Sequence, residues 1–307
     1  MIVVVGGRGL IGSSIVTRLR SSGQEVMVVT HDPKRAGDPG TRYGDLTRPD
    51  TLEPAVAGAD VVIQSVNFPT YPIEKSRRRQ TFVAYDGIGT ERLVRAAERV
   101  GARRYLFISG IGARSGSPKP YFQALRRGER AVLDTGLEPM CIEPTMVFGP
   151  RSRGLNTILA VARWSPLMPV IGDGTEMHQP VYVEDVAELV RQAVEPGAPQ
   201  GVFEVGGPER FSLEELLRRL FAAAGLERRI VHVPFRLART SAALLERLPG
   251  QLLTRSAIDF FTEDFVADLG PLAASFSLRL TPFEEGLARY LSPRGARLSG
   301  PPGLSPR

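Results

Sequence analysis

Cysteine is all but missing from this 307-residue sequence. Cys141 stands alone, so no disulfide can close within the chain and no thiolate metal cluster can be built, a usage that fits a reducing compartment. Histidine is nearly as scarce. His31, His178 and His232 stand far apart and lack a partner at ligand spacing, so no metal site is expected. Also lacking is any apolar run near the ~20 residues a membrane helix requires. The apolar stretch Ile2 to Val5 ends at a glycine cluster and is too short for a signal-peptide core. A soluble, cytoplasmic protein without an integral membrane segment is expected.

Hydrophobic residues make up 42% and charged residues 23%, ordinary globular values that exclude collagen-like, coiled-coil and disordered chains. The length suits one large domain or two moderate ones, large enough to take roughly three quarters of the extended chain's surface out of water. A formal charge of +6 and a pI near 9.8 invite a nucleic-acid reading. Half of the excess, however, sits in the last residues, where Arg294, Arg297 and Arg307 stand in a Pro, Gly and Ser-rich stretch without an acid. Lysine is confined to Lys34, Lys75 and Lys119, so the arginine richness reads as compositional bias. No nucleic-acid partner is expected, and residues 292–307 read as a disordered tail.

Apolar runs of strand length alternate with helix-period segments through the first two thirds, the pattern of a parallel sheet with helices on both faces. Strands are predicted at Ile2 to Val5, Glu25 to Thr30, Val61 to Ser65, Tyr105 to Ser109, Met140 to Glu143 and Val202 to Val205. Helices are predicted at Leu10 to Ser22, Phe82 to Val100, Phe122 to Thr135 and Val183 to Val194, with Gly23, Gly101 and Gly136 at stop positions. Ser212 to Glu215 forms a capping box that opens another helix. The fold class is therefore α/β, a Rossmann-type doubly wound parallel sheet with a smaller C-terminal substrate lobe. Residues 1–148 form the nucleotide-binding core, 149–179 a segment of the lobe, 180–207 a return to the core, and 208–291 the rest of the lobe.

The strongest chemical signal lies where the first strand runs into Gly6-Gly7-Arg8-Gly9-Leu10-Ile11-Gly12 and then a helix. Glycine at positions 6, 9 and 12 lets the backbone turn tightly, approach a pyrophosphate and seat the helix on the sheet. The helix start offers unpaired N–H groups and the positive dipole end. Strand before and helix after raise this pattern above a bare glycine motif and point to dinucleotide binding. The end of the second strand selects between the two nicotinamide dinucleotides, because an acid binds the ribose 2′-hydroxyl and basic groups accept a 2′-phosphate. Here it reads Thr30-His31-Asp32-Pro33-Lys34-Arg35, and Arg8 can reach the same side. Arg8, His31, Lys34 and Arg35 favour NADP(H), with NAD(H) as the alternative.

With these residues in view, the sequence resembles the short-chain dehydrogenase/reductase superfamily in its extended or atypical branch. Within it the chain is most similar to NmrA-like proteins and to the nucleotide-binding accessory subunit of respiratory complex I. The matching pieces include VVVGGRGLIG, VTHDPKR, ADVVIQSVN, YDGIGTERLVRAAERVGARRYLFISGIGA, MHQPVYVEDVAELV and, toward the end, LTRSAIDFF and TPFEEGLARYL. The resemblance implies that Asp45 and Leu46 frame the adenine. It also implies that Ser65, Val66 and Asn67 line the cofactor, and that Pro144 passes the nicotinamide.

Catalysis in this superfamily uses a Ser, a Tyr and a Lys four residues after the Tyr. The phenol moves the substrate proton, the lysine lowers the phenol pKa and holds the ribose, and the serine orients the carbonyl. Ser109 and Tyr121 match, but Leu125 stands at the lysine position. On a helix Leu125 lies about 40° from Tyr121, whereas Arg126 lies about 140° away and cannot substitute. A second departure is Glu143, where the family usually has Arg; it reads either as a replacement acid or base or as a strand-end carboxylate paired with an arginine. Tyr182 reads as a packing residue. The loop Phe68 to Arg79 reads equally as a lid or as a solvated arginine run. Two functions follow: an NADP(H)-dependent oxidoreductase or epimerase-like enzyme on an unidentified small molecule, or a catalytically weak dinucleotide sensor or assembly factor acting through a protein partner.

Overall fold

The computed structural model describes residues 1–68, 74–75, 80–113, 116–117, 119–238, 240 and 263–291. The predicted tail at 292–307, most of the loop Phe68 to Arg79, and the LTRSAIDFF stretch lie outside the described residues. The chain divides into two compact units. The first comprises Met1–Thr145, Val183–Gly206 and Ala267–Arg279; the second comprises Met146–Tyr182, Gly207–Val266 and Leu280–Arg307.

The first unit is built on strands β1 (Ile2–Val5), β2 (Val26–Thr30), β3 (Thr41–Tyr43), β4 (Val61–Gln64), β5 (Arg104–Ile108), β6 (Glu138–Pro144) and β11 (Gly201–Val205). They form one sheet in the order β11-β6-β5-β4-β1-β2-β3, and every neighbouring pair is parallel. The order reverses between β1 and β4, which is the topological switch point where open α/β sheets bind ligands. Strands β1 and β4 are buried along their whole length, as β-branched runs covered on both faces must be. Helices α1 (Leu10–Ser21) and α6 (Val183–Ala193) pack together. Helices α2 (Leu52–Val56), α3 (Ile88–Arg99) and α4 (Pro120–Leu133) pack in series. Val3, Val5, Val62, Phe107, Cys141, Leu93, Leu125 and Val132 share one apolar cluster, so α3 and α4 cover the face those strand residues present. Gly23 and Gly101 adopt φ of 81° and 74° just past α1 and α3, the left-handed backbone that stops a helix.

Two elements differ from the sequence reading. The stretch expected as one helix from Phe82 opens as a π turn, Val83–Gly87, before α3 begins. Its cause is close packing: a Cβ at Gly128 of α4 would lie 2.2 Å from the Asp86 carbonyl oxygen, and one at Gly87 would lie 3.2 Å from Arg127 Cδ. The backbone at Gly87 is widened where α4 approaches it. Edge strand β3 has no apolar run, because its residues are half-buried.

The second unit contains β7 (Val147–Phe148), α5 (Arg153–Trp164), β8 (Leu167–Ile171), β9 (Met177–His178), β10 (Val181–Tyr182), β12 (Phe211–Ser212), α7 (Leu213–Ala223), β13 (Arg229–Val233) and α9 (Phe283–Ala288). Its strands pair two by two, β10 with β7, β12 with β9 and β13 with β8. Phe148 anchors the interior, with ring centroids 5.1 Å from Phe283 and 5.4 Å from Tyr182. One half of the predicted capping box is formed: Ser212 Oγ accepts the Glu215 N–H at 3.2 Å, while the Glu215 carboxylate pairs with Arg219 at 2.9 Å. The short helix α8 (Gly270–Ser275) belongs to the first unit, although the sequence reading assigned this region to the lobe. There Phe276 packs edge-on against Phe203 of β11 at 5.2 Å, and the Asp268 N–H donates to Glu204 Oε2 at 2.7 Å. Among the described residues no helix is long and apolar enough to cross a membrane.

Candidate functional site

At the end of β1 the Gly6 N–H still donates to Val29 O of β2 at 3.2 Å, and the Gly9 N–H turns back to Gly6 O at 2.9 Å. Gly6 has φ of 85°, and a Cβ there would lie 2.1 Å from the Ser65 carbonyl oxygen; at Gly12 it would lie 2.3 Å from Gly6 O. Only glycine fits either place. Helix α1 begins at Leu10 behind Gly9, with no side-chain cap and no acid in its first turn. Its leading N–H groups, including those of Leu10, Ile11 and Gly12, therefore have no intrahelical acceptor. A glycine-lined turn with no room for a Cβ at Gly6 or Gly12, set before orphan donors and a positive dipole end, is the chemistry of a pyrophosphate site, and these residues fit a dinucleotide. Ser65 and Val66 follow β4 directly against Gly6, with Asn67 exposed beyond them.

The basic residues predicted at the end of β2 lie in and beside the short turn Pro33–Arg35. His31, Lys34 and Arg35 are exposed. Asp32 is turned into its own bend, where it accepts the Lys34 N–H at 3.0 Å and pairs with Arg35 Nε at 3.5 Å. Arg8 reaches this side and pairs with Asp38 at 2.5 Å. Asp38 and Arg35 lie at the surface and Arg8 is partly exposed, so each of these ion pairs is worth little. Alongside, the Gly44 N–H donates to Thr30 O at 3.0 Å, which sets Asp45 and Leu46 next to the β2 end. The Asp45 carboxylate accepts both the N–H and the hydroxyl of Thr47 at 2.8 Å, while Leu46 is buried in the core.

Ser109 and Tyr121 are brought together by another glycine. A Cβ on Gly110 would lie 2.6 Å from the Tyr121 hydroxyl and 3.3 Å from Leu125 Cδ1, so the phenol and Leu125 both face the backbone one residue beyond Ser109. Leu125 is 2% exposed and belongs to the core cluster. The neighbouring arginines are engaged elsewhere: Arg126 Nε donates to Ala113 O at 3.1 Å, and Arg127 Nε donates to Glu91 at 2.6 Å. Tyr121 also stacks edge-on with Phe82 at 5.0 Å, and Phe82 in turn with the buried Phe68 at 5.2 Å.

Sequence reasoning missed Glu129. It is buried on α4, one turn past Leu125, and accepts a short hydrogen bond from the Ser109 hydroxyl. The signal was present as an acid on the apolar stripe Tyr121, Leu125, Glu129, but its partner lies 20 residues away in sequence. Glu143, 1% exposed, continues the face of β6 that Cys141 shares with α4, and the Ser109 N–H donates to Ile142 O beside it at 2.8 Å. One hydroxyl and two buried carboxyl groups thus lie on the same side of the sheet near its carboxyl edge, with Ser109 and Glu129 in contact. Pro144 follows in register with Val205 and accepts the Ile111 N–H at 3.1 Å.

Asp86 is a further acid the sequence reading passed over. Its carboxyl is buried, its Oδ2 has no hydrogen-bond partner among the described residues, and burial pushes its pKa up to about 8. A fourth buried polar group, Gln64, accepts the Tyr105 hydroxyl and donates to Thr90 Oγ1 at 2.8 Å, closing a network under the sheet end. In the second unit His178 is buried against Phe265, and loss of hydration lowers its pKa to about 4, so it is neutral. His232 is paired with Glu214 at 3.1 Å, whereas His31 is exposed in the first unit.

The sheet order, the glycine loop and the switch-point geometry agree with a comparison against family models, in which residues 2–206 match the NAD dependent epimerase/dehydratase family. The chain belongs to this family. Among relatives of this epimerase/dehydratase chain is the mitochondrial NADH dehydrogenase [ubiquinone] 1 alpha subcomplex subunit 9 of Arabidopsis thaliana. It is 30% identical over 257 residues, which cover 78% of this chain and 62% of that protein. The chain thus spans about three fifths of that relative's length. The NAD(P)H azoreductase of Xenophilus azovorans is 27% identical, over 78% of this chain and 79% of its own. Among solved structures, UDP-glucose 4-epimerase from Thermotoga maritima superposes with a TM-score of 0.72 at 20% identity, covering 94% of this chain and 97% of that one. At that identity the likeness speaks for the fold.

Proposed function

We propose that the chain binds NADP(H) in preference to NAD(H) and is an oxidoreductase of low intrinsic rate toward a small carbonyl compound. The observation that carries the binding is the side-chain-free cradle of Gly6 and Gly12, where any Cβ would strike backbone. In this reading the N–H groups around Gly9, Leu10 and Ile11 receive the pyrophosphate, and Arg8, His31 and Arg35 receive the 2′-phosphate. Asp45 and Leu46 flank the adenine, while Ser65, Val66, Asn67 and Pro144 line the rest. When bound, the dinucleotide supplies or accepts hydride at the nicotinamide.

The chain's own groups then handle the proton. Tyr121 offers its hydroxyl, but no lysine stands one turn along α4 to charge-stabilise a phenolate. Ser109, its proton committed to Glu129, presents lone pairs rather than a donor to a substrate carbonyl. Both features weaken the acid–base step, typically worth 10²- to 10⁴-fold. NADPH consumption with one reducible diketone tests this in wild type, Leu125→Lys and Leu125→Lys with Tyr121→Phe. Slow turnover is expected in wild type, a gain in the single variant and loss of the gain in the double. Fast wild-type turnover that survives Tyr121→Phe would overturn it and make Glu143 the next acid to test.

The similarity to a respiratory-complex subunit, together with Leu125, favours a second reading, in which dinucleotide occupancy stabilises a partner-binding shape. It is distinguished by cofactor-dependent stabilisation of a complex without any cofactor oxidation.

A further inference from the structure

Trp164 is the chain's only tryptophan, and it is 91% exposed. A large ring left in water at the end of a helix is costly, at roughly 25 cal/mol per Å² of apolar surface. It does not stand alone. Val161, about 60° away around α5, is 48% exposed, while the opposite face of that helix buries Leu155, Leu159 and Ala162. The chain then enters β8, whose outward residues Leu167 and Pro169 are directly paired with Arg229 and Val231 of β13. All four are exposed. The Arg229 N–H donates to Pro166 O at 3.0 Å, and the Arg228 guanidinium donates to Ala162 O, so the helix end and the two-stranded ribbon are tied into one surface within the second unit.

The charged side chains within the patch are arginines, the nearest acid along the chain being the exposed Glu227 just before Arg228. Residues 161–169 and 228–231 contain no Asp or Glu. Arg163 and Arg229 are exposed and have no ion-pair partner among the described residues. Aliphatic side chains, one tryptophan and uncommitted arginines side by side are the composition of the water–hydrocarbon boundary, where the indole sits among headgroups and guanidinium groups meet lipid phosphates. We infer that the surface formed by Val161, Trp164, Leu167, Val231, Arg163 and Arg229 docks the protein peripherally on an anionic phospholipid membrane. The inference is independent of the dinucleotide reading, because none of these residues belongs to the first unit.

The single tryptophan makes the test direct, since all indole fluorescence reports this patch. Full-length protein is mixed with vesicles of phosphatidylcholine alone or with about one third phosphatidylglycerol, a content that sets a negative surface potential. Expected are a blue shift of emission and quenching by acyl-brominated lipid on the anionic vesicles only. Binding by flotation should weaken about fivefold for each of Arg163→Gln and Arg229→Gln, and should fall with salt. Trp164→Ser should reduce flotation while leaving NADPH affinity unchanged. An emission spectrum that anionic vesicles do not move would overturn the inference. So would flotation indifferent to Trp164→Ser, or a blue shift that follows protein concentration without vesicles, which would mark a contact between copies of the chain. Failure of NADPH binding with flotation intact would strike only the dinucleotide reading.

Discussion

Gly12 and Gly136 make opposite demands of the same substitution. Gly12→Ala forces a methyl group to 2.3 Å from the Gly6 carbonyl oxygen, whereas nothing lies within 4 Å of a Cβ at Gly136, whose φ is not positive. Gly12→Ala is expected to weaken NADPH binding by at least about tenfold in a fluorescence titration and to lower Tm, because the cradle must open. Gly136→Ala should instead leave binding intact and be neutral or stabilising by about 0.4–1 kcal/mol, through the less flexible unfolded chain. Equal effects of the two would contradict the cradle. Leu125→Ala removes a buried side chain from the α4 face and should cost about 2–5 kcal/mol in denaturant melts. The glycine positions and Leu125 were legible in the sequence because each follows from local spacing. Glu129 was not, since its hydrogen bond to Ser109 is made only when α4 folds over β5.

At the scale of elements, the π turn and α4 enclose Asp86, and this carries a pH signature. Its carboxyl titrates at about 8 in the folded chain against 3.8 in the open chain. Between those values the folded state holds the extra proton, so this group's contribution is complete below about pH 4 and is lost as pH rises toward 8. His178 has the reverse sense, titrating at about 4 instead of 6.5, so its contribution is present above pH 6.5 and lost as pH falls through 4. The two slopes oppose each other between pH 4 and 6.5, and above that only Asp86 acts. Stability of wild type is expected to decline from pH 6.5 to 8 by up to about 1.4 kcal/mol per unit. Asp86→Asn should flatten that limb and His178→Phe should not; an unchanged limb in Asp86→Asn would refute the assignment. Periodicity revealed α3 but not the π turn before it, because the widening is imposed by Gly128 of α4 from another part of the chain. Likewise β3, short and half-buried at the sheet edge, leaves no apolar run to read.

For the whole molecule, the parallel sheet was legible because fully buried strands must be continuous Val and Ile runs, and the glycine loop marks the first of them; the order β11-β6-β5-β4-β1-β2-β3 was not, since pairing between strands leaves no local pattern. The return of Ala267–Arg279 to the sheet was not, since it depends on Phe276 meeting Phe203 and Asp268 meeting Glu204 rather than on any local pattern. We propose that this fold presents a dinucleotide site whose β2 end favours a phosphate. Calorimetric titration of the full chain with NADPH and NADH side by side tests it most directly. NADPH is expected to bind about tenfold or more tightly than NADH, with the difference shrinking in Arg8→Ala with Arg35→Ala. Equal or tighter binding of NADH, or no binding of either, would contradict it.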